Sequence, residues 1–149
     1  MVLNDGYVSL VNPDGTVHTP KWIGVNRNGL TLNHPLGSDI ANGLLYVVDI
    51  DTVRWFDMKT GAPKGQVQVP GVTRFNDLEV ADDGTIYATQ TGTPNDPTSW
   101  KVYRITPQGQ SSAVITGVAA AGDAQRHRLR PEGQPGGGQH GNNAVLTFA

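Results

Sequence analysis

The chain has 149 residues, of which 19 are glycine and 10 are proline, and apolar residues make up 37% of it; this composition favours short strands joined by tight turns over helices. The formal net charge of −2 gives no basic field for nucleic acid or anionic lipid, and the lack of cysteine excludes disulfides and thiolate metal sites. Because no apolar run approaches a membrane span and residues 1–5 are too polar for a signal peptide, we expect no membrane partner, and the compartment stays open.

The first predicted element is a hairpin near the amino terminus. A strand-like run over residues 6–11 is followed by the turn sequence Asn-Pro-Asp-Gly at residues 12–15, and residues 16–18 return as the partner strand. Proline sets the backbone φ that such a turn needs, and glycine accepts the left-handed position.

Two longer units follow and share one plan of strands and turns. The second unit opens at Pro35 and crosses Asn42-Gly43, a dipeptide typical of two-residue hairpins. Its further runs are residues 44–49, 52–57 and 66–69. The third unit comprises the runs 73–80, 85–89, 101–105 and 112–115, with turns at Gly84 and Gly109. Both units predict sheets of about four strands.

The spacing of the units indicates a repeat. Tyr46 and Tyr87 stand about 41 residues apart, and Leu10, Phe56 and Ile105 precede their turn glycines at intervals of about 46 to 49 residues. Four strands every 40 to 50 residues are typical of propeller blades. We therefore predict an all-β fold over residues 1–149, an incomplete β-propeller with about three blades of four-stranded antiparallel sheet. The alternative is a β-sandwich, which also has turns every 8–12 residues.

The pattern breaks between residues 125 and 140, which are rich in glycine, proline, glutamine and arginine, and a strand-like run returns at 142–148. One interpretation is a flexible basic loop. The other is a pair of compensating frameshifts, because G- or C-rich codons read one nucleotide forward would give Asn-Gly-Ile-Ala-Phe-Asp-Pro and a following strand. The glycines at 136–141 lack the preceding strand and following helix of a dinucleotide site, so we expect no nucleotide there.

Candidate binding residues lie at the start of the third unit. Strand alternation would send Arg74 and Asn76 to the same side, where a guanidinium and an amide can orient a polyhydroxy or carbonyl ligand. The competing interpretation makes Asn76-Asp77 a turn element and Arg74 a surface ion-pair partner. Asp49 and Asp51 fit a turn better than a cation site, and the four histidines, His18, His34, His127 and His140, lack the spacing of metal ligands.

The sequence Arg74-Phe75-Asn76-Asp77, followed by the turn at residues 82–84, resembles the senescence-marker/gluconolactonase (regucalcin-like) family of six-bladed propellers. The runs 45–49 and 56–61 agree with it, and the resemblance covers roughly residues 35–148. Enzymes of that family hydrolyse lactones with a divalent cation, often calcium, held by a Glu, an Asn and an Asp from different blades. By resemblance, Arg74 and Asn76 match the substrate-positioning pair, with Asp77 beside them.

The chain departs from the family at the metal site. The Glu would fall before Met1, the Asn would align with Gln125-Arg126, and the Asp would lie beyond Ala149; Gln90 also stands where many relatives carry Asp. We therefore expect that this chain contains no catalytic residue and no metal ligand. We expect it to be an inactive fragment of a lactone hydrolase whose ligand is a lactone or sugar acid. The alternative is a non-catalytic scaffold that binds protein, peptide or glycan. We also expect the isolated chain to self-associate, because a partial propeller exposes blade faces.

Overall fold

The computed structural model describes residues 4–25 and 30–117, which form ten β-strands and one 3₁₀ turn at Pro97–Ser99. The strands are β1 (Tyr7–Val11), β2 (Val17–Gly24), β3 (Pro35–Ala41), β4 (Leu44–Asp49), β5 (Thr52–Asp57), β6 (Pro63–Gln68), β7 (Phe75–Val80), β8 (Ile86–Gln90), β9 (Lys101–Ile105) and β10 (Ser111–Thr116). The predicted loop at 125–140 and the predicted strand at 142–148 lie outside the described residues.

The strands form three antiparallel sheets in chain order. The first sheet has two strands, β1-β2, and the others have four each, β3-β4-β5-β6 and β7-β8-β9-β10. The predicted all-β class is confirmed, and successive meandering sheets without ring closure match the expected incomplete propeller. Within the described residues the first blade contributes one strand pair, whereas the second and third units are complete four-stranded sheets.

The predicted turns set the strand boundaries. Asn42 and Gly43 have φ values of 51° and 75°, so both occupy the left-handed region that a two-residue hairpin requires. Several predicted strands differ from the structure at their ends. The run predicted at 66–69 corresponds to β6, which begins at Pro63 and ends at Gln68. The run predicted at 73–80 corresponds to β7, which begins at Phe75, and the Thr73 N–H donates instead to the Gln90 side chain at 2.9 Å.

The two central strands of the middle sheet, β4 and β5, are buried on both faces because they alternate large apolar side chains to either side. On one face, Leu45, Val47 and Phe56 form a core with Ile23 and Leu32 of the first sheet and its connection. This arrangement fixes the first sheet against the second.

The opposite face of the middle sheet meets the third sheet. Tyr46, Val48 and Val53 share one buried cluster with Phe75 and Ile86. Aromatic contacts reinforce this cluster, including an edge-to-face contact of Phe75 with Tyr103 at 5.8 Å between ring centroids. The larger of the two cores therefore lies between the two four-stranded sheets.

The first strands of these two sheets, β3 and β7, lie side by side. The carboxylate of Asp39 accepts the N–H of Val80 at 2.8 Å. Gly37 lies so near Asp77 that a Cβ on it would stand 2.5 Å from the Asp77 Cα. First strands of neighbouring blades meet in this way around a propeller axis.

The same packing gathers four connecting segments at one end of the sheets. These segments, which we name the loop end, are residues 30–34, 49–52, 69–74 and 90–101. The N–H of Phe75 donates to the carbonyl of Ile50 at 2.6 Å and so ties two of them together. The residues predicted to bind a ligand stand at or next to this end.

Candidate functional site

A buried carboxylate supports the loop that enters β3. Asp49, at the end of β4, is 1% exposed. Its Oδ1 accepts the backbone N–H of His34 at 2.7 Å and that of Asn33 at 3.0 Å. The loop is thus held at the point where it presents the His34 side chain.

The charge of Asp49 is balanced by Arg54 of β5. The Arg54 Nε lies 3.2 Å from Asp49 Oδ2 as an ion pair, without the alignment of a hydrogen bond, and its Nη1 donates to the carbonyl of Thr31 at 3.1 Å. The Asp49 side chain is fully buried and that of Arg54 is 17% exposed. This pair supports the site and does not face a ligand.

A buried amide supports the second loop. Gln90, at the end of β8, is 4% exposed. Its Oε1 accepts the N–H of Thr73 at 2.9 Å, and its Nε2 donates to the carbonyl of Ser99. Gln90 therefore fixes the residue directly before Arg74 and links it to the segment 90–101.

The two supported loops bring Arg74 and His34 into contact. Arg74 Nη2 lies 3.0 Å from His34 Nδ1 and 3.1 Å from His34 Nε2, and the arginine side chain is exposed. A guanidinium is only a donor, so the ring nitrogen that accepts from it must be unprotonated, and a neutral imidazole has only one such nitrogen. Within the described residues no carboxylate lies in ion-pair distance of Arg74.

Asn76 and Asp77 follow at the start of β7 and are both half-buried. The pairing of β7 with β8 is irregular between Phe75 and Asp77, so a bulge at Asn76 interrupts the alternation from which Arg74 and Asn76 were expected to share a side. Asp77 Oδ1 accepts the N–H of Leu78 at 2.9 Å. Arg74 thus lies in the loop end, Asn76 and Asp77 lie next to it at the start of β7, and Arg74 is the most exposed of the three.

Sequence reasoning missed His34 and the supporting role of Gln90. His34 stands 40 positions from Arg74, and no local motif connects them. The usable signal was the repeat itself, because residues directly before the first strands of neighbouring blades converge at one end.

The described residues do not fit a divalent cation. They contain no group of three or more His, Asp or Glu side chains arranged to hold a metal. Asp51, near Asp49 in the β4–β5 turn, accepts from Gln68 Nε2 at 2.7 Å and from the Thr52 hydroxyl at 2.9 Å. Both carboxylates are therefore engaged by hydrogen bonds that organise the loop end.

Three aspartates organise hairpin turns elsewhere, and we name Asp14, Asp57 and Asp83 the turn aspartates; Asp14 and Asp83 are exposed and Asp57 is half-buried. The side-chain hydroxyl of Thr16 lowers the pKa of Asp14 below its ordinary value. Backbone N–H groups, of Thr60 and Thr85 respectively, do the same for Asp57 and Asp83. Hydrogen bonds to the ionised carboxylate have this effect because they favour the charged form.

The chain was compared with protein-family models and with curated proteins. No protein-family model matches the chain, and no curated protein is significantly similar to it. In residues 4–25 and 30–117 no helix is long and apolar enough to cross a membrane.

Proposed function

We propose that this chain is part of a gluconolactonase-like propeller, that the longer parent protein hydrolyses lactones, and that Arg74, Asn76 and Asp77 position the ligand. The observation that carries the proposal is the exposed guanidinium of Arg74 on a loop fixed by Gln90, at the end where β3 and β7 begin. A propeller binds small ligands where its first strands open, so an exposed donor there is well placed.

The proposed role is positioning. The guanidinium offers several N–H donors in a fixed plane and suits carbonyl or hydroxyl oxygens of a lactone. The amide of Asn76 has a donor and an acceptor for neighbouring hydroxyls. A divalent cation, which we expect to be calcium, would be held by parts of the parent outside the described residues, and we assign it no step here.

A second candidate function is binding without catalysis, of a glycan, peptide or protein. It is favoured by the state of Asp49, whose carboxylate is buried against two backbone N–H groups and Arg54. A carboxylate held in this way supports a loop and is not placed to abstract a proton from a ligand. Hydrolysis by the parent is the property that separates the two candidates.

The test measures lactone hydrolysis by the full-length parent in the presence of calcium. We expect Asn76→Ala and Arg74→Gln each to lower turnover on the order of 10²-fold, because a misplaced ligand loses its reactive geometry. Lys59→Gln is the matched control, since it removes a charge from the exposed β5–β6 turn at the other end of the sheet.

Wild-type turnover in both site variants would refute the positioning role. A parent that binds a sugar but does not hydrolyse lactones would favour the second candidate.

A further inference from the structure

We infer that the space between β1 and β3, which no described strand covers, is a docking site for a β-hairpin supplied by a separate polypeptide. We name this site the inner slot. Its walls are the edge of β1 and the outward face of β3, on which Leu36, Ser38 and Ile40 are exposed. The inference goes beyond the proposed function, because this surface contains none of the residues proposed to position a ligand.

The first argument identifies β1 and β2 as the outer half of a blade. The outermost strand β6 leads directly into β7, the first strand of the next sheet, and β2 leads into β3 in the same way. The contacts before β5 and before β1 agree with this assignment. The N–H of Phe75 at the start of β7 donates to Ile50 just before β5 at 2.6 Å. Likewise Gly6, just before β1, lies so close to the Pro35 ring at the start of β3 that no Cβ could be accommodated. Thus β1 stands at the position of β5.

The second argument is the free edge of β1. One edge pairs with β2, and on the other the described residues bridge only the entry, where the Gly6 N–H donates to the Leu32 carbonyl at 3.0 Å. Residues 7–11 contain no charge and no proline, whereas the outer strand β6 carries Pro63 and Lys64, residue types that discourage pairing at an edge. The edge of β1 is therefore suited to accept another strand.

The third argument compares the exposed face of β3 with the same face of β7. Ile40 pairs with Leu45, and Val80 pairs with Ile86. Leu45 and Ile86 each stand directly before the repeated tyrosine of their sheet, so Ile40 and Val80 hold equivalent positions. Val80 is 9% exposed and Ile40 is 60% exposed. Val80 is covered because it shares a core with β4 of the preceding sheet, and the described part of the first sheet has no strand at that place.

The fourth argument concerns the occupant. A single added strand would pair with β1 and leave Ile40 uncovered, whereas a hairpin like β3–β4 would do both. Its second strand would pair with β1 as β4 pairs with β5, and its first strand would lie along β3 as β3 lies along β7. A second folded copy cannot supply this hairpin, because its β4 is already paired on both edges. The slot walls named above carry no charge, so the hairpin face that meets β3 is apolar.

The test is a fluorescence anisotropy titration of the 149-residue chain into a labelled synthetic peptide of residues 35–51, which contains β3, its turn and β4. The matched control peptide carries Val48→Lys, a charge on the face that packs against the next sheet. We expect it to bind at least about tenfold more weakly, because the charge would be buried without a partner. In the chain, Ile40→Lys should weaken binding of the unmodified peptide by a similar factor, and Lys59→Gln should leave it unchanged.

Amide hydrogen exchange locates the bound peptide. Binding should slow exchange at residues 7–11 and leave exchange unchanged in β10 (Ser111–Thr116), a second uncharged outer strand that serves as the internal control. No saturable binding, equal binding of the Val48→Lys peptide, or protection of β10 instead of β1 would overturn the inference. A dimer that protects residues 7–11 and that the peptide does not displace would also overturn it, because a second copy would then occupy the slot. None of these results depends on lactone hydrolysis, so each leaves the proposed function to its own test.

Discussion

Replacing Asp49 by alanine should lower the free energy of unfolding by about 3–5 kcal/mol, the usual effect of removing one partner from a buried ion pair. The structure gives the reason. The substitution leaves the Arg54 guanidinium, 17% exposed, without its counter-charge, and it leaves the N–H groups of Asn33 and His34 without their acceptor. Urea unfolding followed by circular dichroism measures the change.

The matched control is Asp51→Asn in the same turn. Asp51 accepts from the exposed side chain of Gln68, so its loss should reduce stability by less than about 1 kcal/mol. The double variant Asp49→Ala with Arg54→Met should recover part of the loss, since it removes the uncompensated charge. An Asp49→Ala protein within about 1 kcal/mol of wild type would refute the supporting role assigned to this carboxylate.

Three further predictions concern the sheets, the turns and the free faces. Asp39→Ala should lower the free energy of unfolding by about 1–3 kcal/mol because the buried N–H of Val80 loses its acceptor. Asp39→Asn retains an oxygen and should lower it less. Equal effects of the two variants in urea unfolding would contradict the role of Asp39 as this acceptor. The lowered pKa values of the turn aspartates add stability that is present above their unfolded value near pH 4 and is lost as the pH falls through the folded values. Replacing all three by asparagine should therefore flatten the decline of the unfolding midpoint between about pH 4 and pH 2, and an unchanged decline would count against those hydrogen bonds. On β3, Leu36 and Ile40 are 41% and 60% exposed. The isolated chain should therefore self-associate, and Ile40→Lys should reduce that self-association. Size-exclusion chromatography with light scattering measures it, and a monomeric wild type would contradict this expectation.

Local turn chemistry made most of the fold predictable. Asn42-Gly43 and the turn glycine Gly84 mark hairpins whose backbone needs positive φ. The strand at residues 101–105 was predicted with the bounds that the structure has. The repeat spacing then indicated that the strands belong to successive sheets of one plan.

The loop end was predictable only in part, because its contacts join residues far apart in the chain. Arg74 was singled out from its neighbours, but its partner His34 lies 40 positions away and belongs to a different blade. The bulge at Asn76 left no mark in the alternation of the sequence, because it depends on how β7 pairs with β8. Gln90 acts through a loop hydrogen bond that has no sequence motif.

The most direct test of ligand binding at the loop end is an amide-resolved NMR titration of the 149-residue chain with gluconate. The amide resonances of Thr73, Arg74 and His34 should shift saturably with gluconate, and those of the hairpin turns of Gly43 and Gly84, at the opposite end, should stay unchanged. Shifts confined to those turns, or none at all, would contradict the claim that Arg74 positions a ligand.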